Sequence, residues 1–198
     1  MMGDRGAHTL DVVNWSLKLG PPQTIEATSC GMTDEVHPLS SIVTFRFPAR
    51  ASLPPVKLTW YEGLRPPRPA LMDEDMKWPA EGGALFKGSK GQLMCGVYAE
   101  SPKLLPLSRH LEYKRPAPTL PRIPDHCHEL DWVRAIKAGR QANAGFDYSG
   151  PLTETCLLGN VAKRIDGQFE WDPVNLRARD SDPATQLIRT SYRTGWSL

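Results

Sequence analysis

The stretch Ser41-Ile-Val-Thr-Phe-Arg-Phe47 decides the fold, because its side chains alternate strictly: Val43, Phe45 and Phe47 fall on one side, Ile42, Thr44 and Arg46 on the other. A period of two is the signature of a strand with one face in a core and one face toward water. The same period runs through QTIEATSC (23–30), with Ile25 and Ala27 set against Thr24, Glu26 and Thr28, and through VKLTWYEG (56–63), with Val56, Leu58 and Trp60 set against Lys57, Thr59 and Tyr61. Three such strands in succession predict an antiparallel sheet covered on one side.

Working outward, GGALFKGSKGQLMCGVY (82–98) reads as two more short strands around the turn Gly88-Ser89-Lys90-Gly91. The turn lacks the G-x-x-x-x-G-K-[ST] spacing of a phosphate loop, and no helix follows it, so it is an ordinary hairpin. RPPRPALMDEDMKWPAEGG (65–83) is rich in proline and charge and is expected as a surface loop. Helical periods occupy residues 7–19, ended by Gly20-Pro21-Pro22, and two later segments. HELDWVRAIKAGR (128–140) spaces Leu130, Val133 and Ile136 along one face with Asp125 as the expected N-cap. PLTETCLLGNVAKR (151–164), starting at Ser149, spaces Leu152, Cys156, Leu157 and Val161. GQFEWD (167–172) is a last strand, a short helix is expected near 183–191, and YRTGWSL (192–198) is aromatic enough to pack back.

A run of strands followed by a run of helices argues an α+β fold: an open, mainly antiparallel sheet with helices on one face, in one domain spanning residues 1–198, the tail 173–198 packed on the body. Strand and helix do not alternate and no G-x-G-x-x-G is present, so no Rossmann domain is expected here.

Bulk properties remove several classes of function. The formal net charge of +2 comes from scattered basic residues with no interleaved aromatic stripe, which gives no case for nucleic acid. No apolar run reaches the length of a membrane helix and the start has no signal-peptide pattern, so a cytoplasmic location is expected for the chain as it stands, an export signal on a longer parent being left open. The cysteines at 30, 95, 127 and 156 form no C-x-x-C pair and read as reduced, buried thiols. His126-Cys127-His128 is the one cluster with metal-binding residue types, but consecutive side chains on a helix fan out by about 100° and do not converge on one ion. No metal site is expected.

The chemistry-bearing pattern is Asp4-x-Gly6-x-His8. On a helix an acid and a histidine four residues apart share a face, an arrangement suited to general acid–base work. Two plainer readings compete with it: Asp4 as an N-cap, and His8 as a hydrogen-bonded core residue on a face that continues through Val12, Trp15 and Leu19.

The segments GDRGAHTLD (3–11), VTFRFPAR (43–50), PPVKLTWYEG (54–63), GALFKGSKGQLMCG (83–96), HELDWVRAIKAGRQ (128–141), FDYSGPLTETCLLGNVAKR (146–164) and YRTGWSL (192–198) resemble, in the same order, the C-terminal domain of the Gfo/Idh/MocA oxidoreductases, the family of glucose-fructose oxidoreductase and inositol dehydrogenase. The resemblance implies a substrate-binding and oligomerisation domain of an NAD- or NADP-dependent enzyme acting on a sugar or polyol. Asp4 and His8 match the family's D-x-G-x-H pair and become its catalytic candidates. The family's cofactor domain and its catalytic lysine have no counterpart in this chain, which by itself is expected to bind neither NAD nor NADP and to be inactive. A separate or missing Rossmann domain is the implied partner, and a homo-oligomer through the outer sheet face (Ile42, Thr44, Arg46, Lys57, Thr59, Tyr61) is implied as well. The competing function is a non-catalytic ligand-binding or scaffold module derived from that family.

Overall fold

The computed structural model describes residues 2–189 and 192–196. The three alternating segments form the strands β1 (Thr24–Cys30), β2 (Ser40–Phe47) and β3 (Val56–Glu62), paired antiparallel, with Val43 opposite both Ala27 and Trp60. The strand β7 (Gln168–Asp172) pairs antiparallel with the free edge of β1, and the two-residue β8 (Arg177–Ala178) with β7, giving the order β3-β2-β1-β7-β8. Alternation then sorts the side chains. Ile25, Val43, Phe45 and Phe169 are fully buried, each worth about 1.5–3 kcal/mol on removal from water. On the opposite face Glu26, Thr28, Ile42, Arg46 and Lys57 are exposed, with Thr44, Thr59 and Tyr61 half-buried. The architecture is α+β, with an open antiparallel sheet.

Two helices cover the inner face. The first, α1, spans Met2–Leu17 and begins five residues earlier than its periodicity suggests. Packing overrides the low propensity of Gly3 and Gly6: the backbone N–H of Met2 donates to the Glu62 carboxylate at the end of β3 (3.2 Å), and Gly6 lies against Cys156. The second, α4, spans Phe146–Ile165 and also begins earlier than Ser149. Its added turn is held by the Tyr148 hydroxyl, which donates to the Asp11 carboxylate of α1. Where the helices meet, a Cβ on Gly159 would sit 2.2 Å from Met2 Sδ and 2.9 Å from Phe45 Cζ, so a hydrogen at this position sets how closely α1 approaches α4.

The strands β4 (Gly83–Gly88) and β5 (Gly91–Gly96) form the expected hairpin, but they do not extend the main sheet. They pair with β6 (Lys103–Leu105) in a second, three-stranded sheet with its own small core of Met72, Met94 and Leu105. Met72 comes from the 65–83 segment expected at the surface; it is buried there, and Met76 and Trp78 pack against the same core. A short helix α2 (Leu107–Glu112) follows, and a single 3-10 turn at Pro124–His126 leads to α3 (His128–Ala138).

α3 stands away from the core. Its expected apolar face is largely exposed, and Asp131 and Ala135 are buried instead. Its N-cap is Cys127, whose Sγ accepts from the Leu130 N–H; Asp125 lies two residues too early, at φ 56, and pairs with Arg134 (3.1 Å). In the tail, Ala178 and, from α5 (Asp182–Ile188), Ala184 enter the core, whereas Tyr192 and Trp196 are more than half exposed. Residues 190, 191, 197 and 198 of the expected helix and tail lie outside the described residues. No helix is long and apolar enough to cross a membrane, among the described residues.

Candidate functional site

Helical geometry sorts the residues of α1 into two faces. Met2, Gly6, Thr9 and Leu10 are buried against α4 and the sheet. Asp4 and His8, one turn apart, fall on the opposite side, and both are exposed, as is Trp15 beyond them. Of the expected stripe, His8 and Trp15 therefore lie on the outward face, Val12 is half-buried and Leu19, past the helix end, packs against the core, and His8 is no core histidine. Asp4 lies in the first turn, where a carboxylate is favoured by the helix dipole. Among the described residues no hydrogen bond or ion pair joins Asp4 to His8.

The second sheet forms the neighbour of this face. Arg5 reaches the Glu81 carboxylate (3.7 Å), and the His8 ring meets the Tyr98 ring edge to face, centroids 5.3 Å apart at 66°. Tyr98, 65% exposed, follows β5 and stands beside the histidine. At the far end of the helix, burial and then the neighbouring Asp11 carboxylate push the Tyr148 hydroxyl up to about 12, so it holds its proton near neutral pH.

Beneath the start of α1 lies a second acid–base constellation that the alternation of β3 and the spacing of α4 did not single out. Lys163 and Glu62 are buried, 1% and 8% exposed, and pair at 3.2 Å. The same Glu62 oxygen, Oε2, accepts from Trp60 Nε1 and from the Met2 backbone, each at 3.2 Å. Burial alone would raise the Glu62 carboxyl, and the donors gathered on it, Lys163 and Trp60 among them, hold it below its usual value. This network ties α1, β3 and α4 together.

A concavity lies elsewhere. A groove of about 740 Å³ runs along the outer side of α4, lined mainly by apolar residues such as Phe146, Leu157, Val161, Trp171 and Leu187, and neither Asp4 nor His8 borders it. Its few polar groups are partly engaged, Glu154 accepting from Trp171 Nε1 at 2.8 Å. Such a surface offers little to a polyhydroxylated substrate.

Among the described residues no group of three or more His, Cys, Asp or Glu side chains is placed to hold a metal ion. All four cysteines are free. Cys95 and Cys156 are buried, burial raising both thiols and Cys156 to about 11, but Cys30 is exposed and Cys127 half-buried. Compared with models of known protein families and with curated proteins, the chain finds no match.

Proposed function

We propose that the chain is the C-terminal substrate-binding and oligomerisation domain of a Gfo/Idh/MocA-type oxidoreductase acting on a sugar or polyol, with the NAD- or NADP-binding domain supplied on another segment or chain. One observation carries the reading: Asp4 and His8 share the outward face of α1, exposed and spared from holding the fold together, where a substrate hydroxyl can reach them. His8 takes the proton of that hydroxyl and Asp4 polarises it, imidazole being the side chain whose ordinary titration spans neutral pH.

The residues of this chain do not fit the dinucleotide itself. Every described strand pair is antiparallel, and a dinucleotide site needs the parallel β-α-β unit with its glycine-rich turn. On this reading hydride chemistry belongs to the partner domain, and the isolated chain is expected to be inactive. The open outer face of the sheet, with Ile42, Arg46 and Tyr61, is the surface through which copies of the chain associate.

A second reading, a non-catalytic binding or scaffold module, is favoured by the absence of a bond between Asp4 and His8. Joining the chain to an NAD(P)-binding domain separates the two. Under the catalytic reading His8→Asn lowers turnover about 10²- to 10⁴-fold while stability changes by less than about 0.5 kcal/mol, because the side chain is exposed. Melting temperature and turnover are measured on the same sample, and a variant as active as the parent retires the acid–base assignment.

A further inference from the structure

Tyr98 belongs to neither hydrophobic core and is 65% exposed, yet the turn that carries it is tightly determined. Between β5 and β6 the chain reverses with Ala99 at φ 61 and Ser101 at φ 49, a left-handed conformation uncommon for residues that carry a Cβ. Glu100, between them, folds back over the turn. Its Oε2 accepts from the Tyr98 N–H (2.8 Å), its backbone oxygen accepts from the Gly96 N–H (3.0 Å), and the Ala99 N–H donates to the Gly96 oxygen (3.1 Å). A Cβ at position 96 would lie 1.8 Å from Glu100 Oε1, so only glycine admits the folded-back carboxylate. Sparsely populated backbone conformations persist where the surroundings over-determine them, and such places cluster at sites of function. What this one presents is an aromatic ring against His8.

We infer that Tyr98 is a positioning residue of the α1 site: held by the Gly96–Glu100 turn, its ring fixes the orientation of the His8 imidazole. An edge-to-face contact prefers one relative orientation of the two rings, and without it an exposed histidine moves among the rotamers its helix allows. The functional consequence of this inference rests on the reading of Asp4 and His8 as the acid–base pair; its geometric content does not.

The test uses the full chain with isotope-labelled histidine, the His8 signal among the five histidines being assigned by its loss in His8→Asn. In the parent, the His8 ring protons are displaced by the Tyr98 ring current and show cross-relaxation to Tyr98. Tyr98→Leu abolishes both signatures without changing the melting temperature, Tyr98→Phe retains the displacement, and Glu100→Ala weakens it by loosening the turn. His8 signals identical in the parent and Tyr98→Leu overturn the inference, as does a Glu100→Ala spectrum indistinguishable from the parent's. The two readings fail separately. A displaced His8 ring together with undiminished turnover in His8→Asn retires the acid–base assignment and leaves the positioning intact; an unmoved ring together with lost turnover retires the positioning alone.

Discussion

α1 has an acid and a base on each of its sides, and the two pairs are built in opposite ways. On the inner side Glu62 and Lys163 are buried and bonded to each other, to Trp60 and to the helix start. On the outer side Asp4 and His8 are exposed and share a face without bonding to each other. A buried charge pair is tolerated only when its partners are satisfied, and it then specifies one arrangement of the elements that bring it together. An exposed pair does nothing comparable for the fold, which leaves its chemistry available. An acid and a base thus serve shape on the inner side of the helix and, under the proposed function, substrate on the outer side, with partner satisfaction separating the two roles.

The largest effect tests the inner pair. Lys163→Met removes the buried lysine partner of the Glu62 carboxylate and should cost about 3–5 kcal/mol in chemical denaturation, whereas Glu62→Leu with Lys163→Met recovers much of that loss. A Lys163→Met variant as stable as the parent would break the comparison. Next comes Asp131, another buried and fully partnered acid, which sharpens the rule. The Asn143 backbone N–H (2.9 Å), then Arg140 (2.6 Å) and the Asn143 side chain, hold its carboxyl at about 2, below the ordinary 3.8. Because the folded value is the lower one, its stabilisation is complete above 3.8 and is lost as the pH falls through about 2. Hydrogen exchange of residues 139–145 should therefore quicken over that window in the parent and show no such step in Asp131→Asn. The smallest effect on stability belongs to the open sheet face. Arg46→Glu with Tyr61→Ala should leave the melting temperature nearly unchanged and convert the proposed oligomer to a monomer in sedimentation. A parent chain that is monomeric at high concentration would contradict the assembly.

Much of this organisation was written in the alternation. The inward Val43, Phe45 and Phe47 and the outward Ile42, Thr44 and Arg46 stand where period two puts them, since a buried strand face admits little else. The second sheet was less legible: whether a hairpin extends a sheet or leaves it depends on which edges are free, and β7 takes the edge of β1 from the far end of the chain. The helix boundaries at Met2 and Phe146 were set by tertiary bonds to Glu62 and Tyr148, which local propensity does not register. Asp4 and His8 are visible as a spacing, but their exposure is not, because Val12 and Leu19 give their face apolar residues while the face that is buried, through Met2, Gly6 and Leu10, is marked by a glycine. The Glu62–Lys163 pair did leave a trace. Glu62 continues the apolar phase of Trp60 and Leu58, and Lys163 follows Gly159 by one turn on the buried face of α4, two charges each at a position that calls for an apolar residue. Tyr98 left none, since only the strained turn aims it.

The measurement that bears most directly on where the chemistry resides is an NMR titration of the uniformly labelled full chain with myo-inositol. Signals of Asp4, His8 and Tyr98 on the outer side of α1 should move with added ligand while those of Thr153, Leu157 and Trp171 in the apolar groove of α4 stay in place. Movement confined to the groove, with His8 and Tyr98 unmoved, would contradict it.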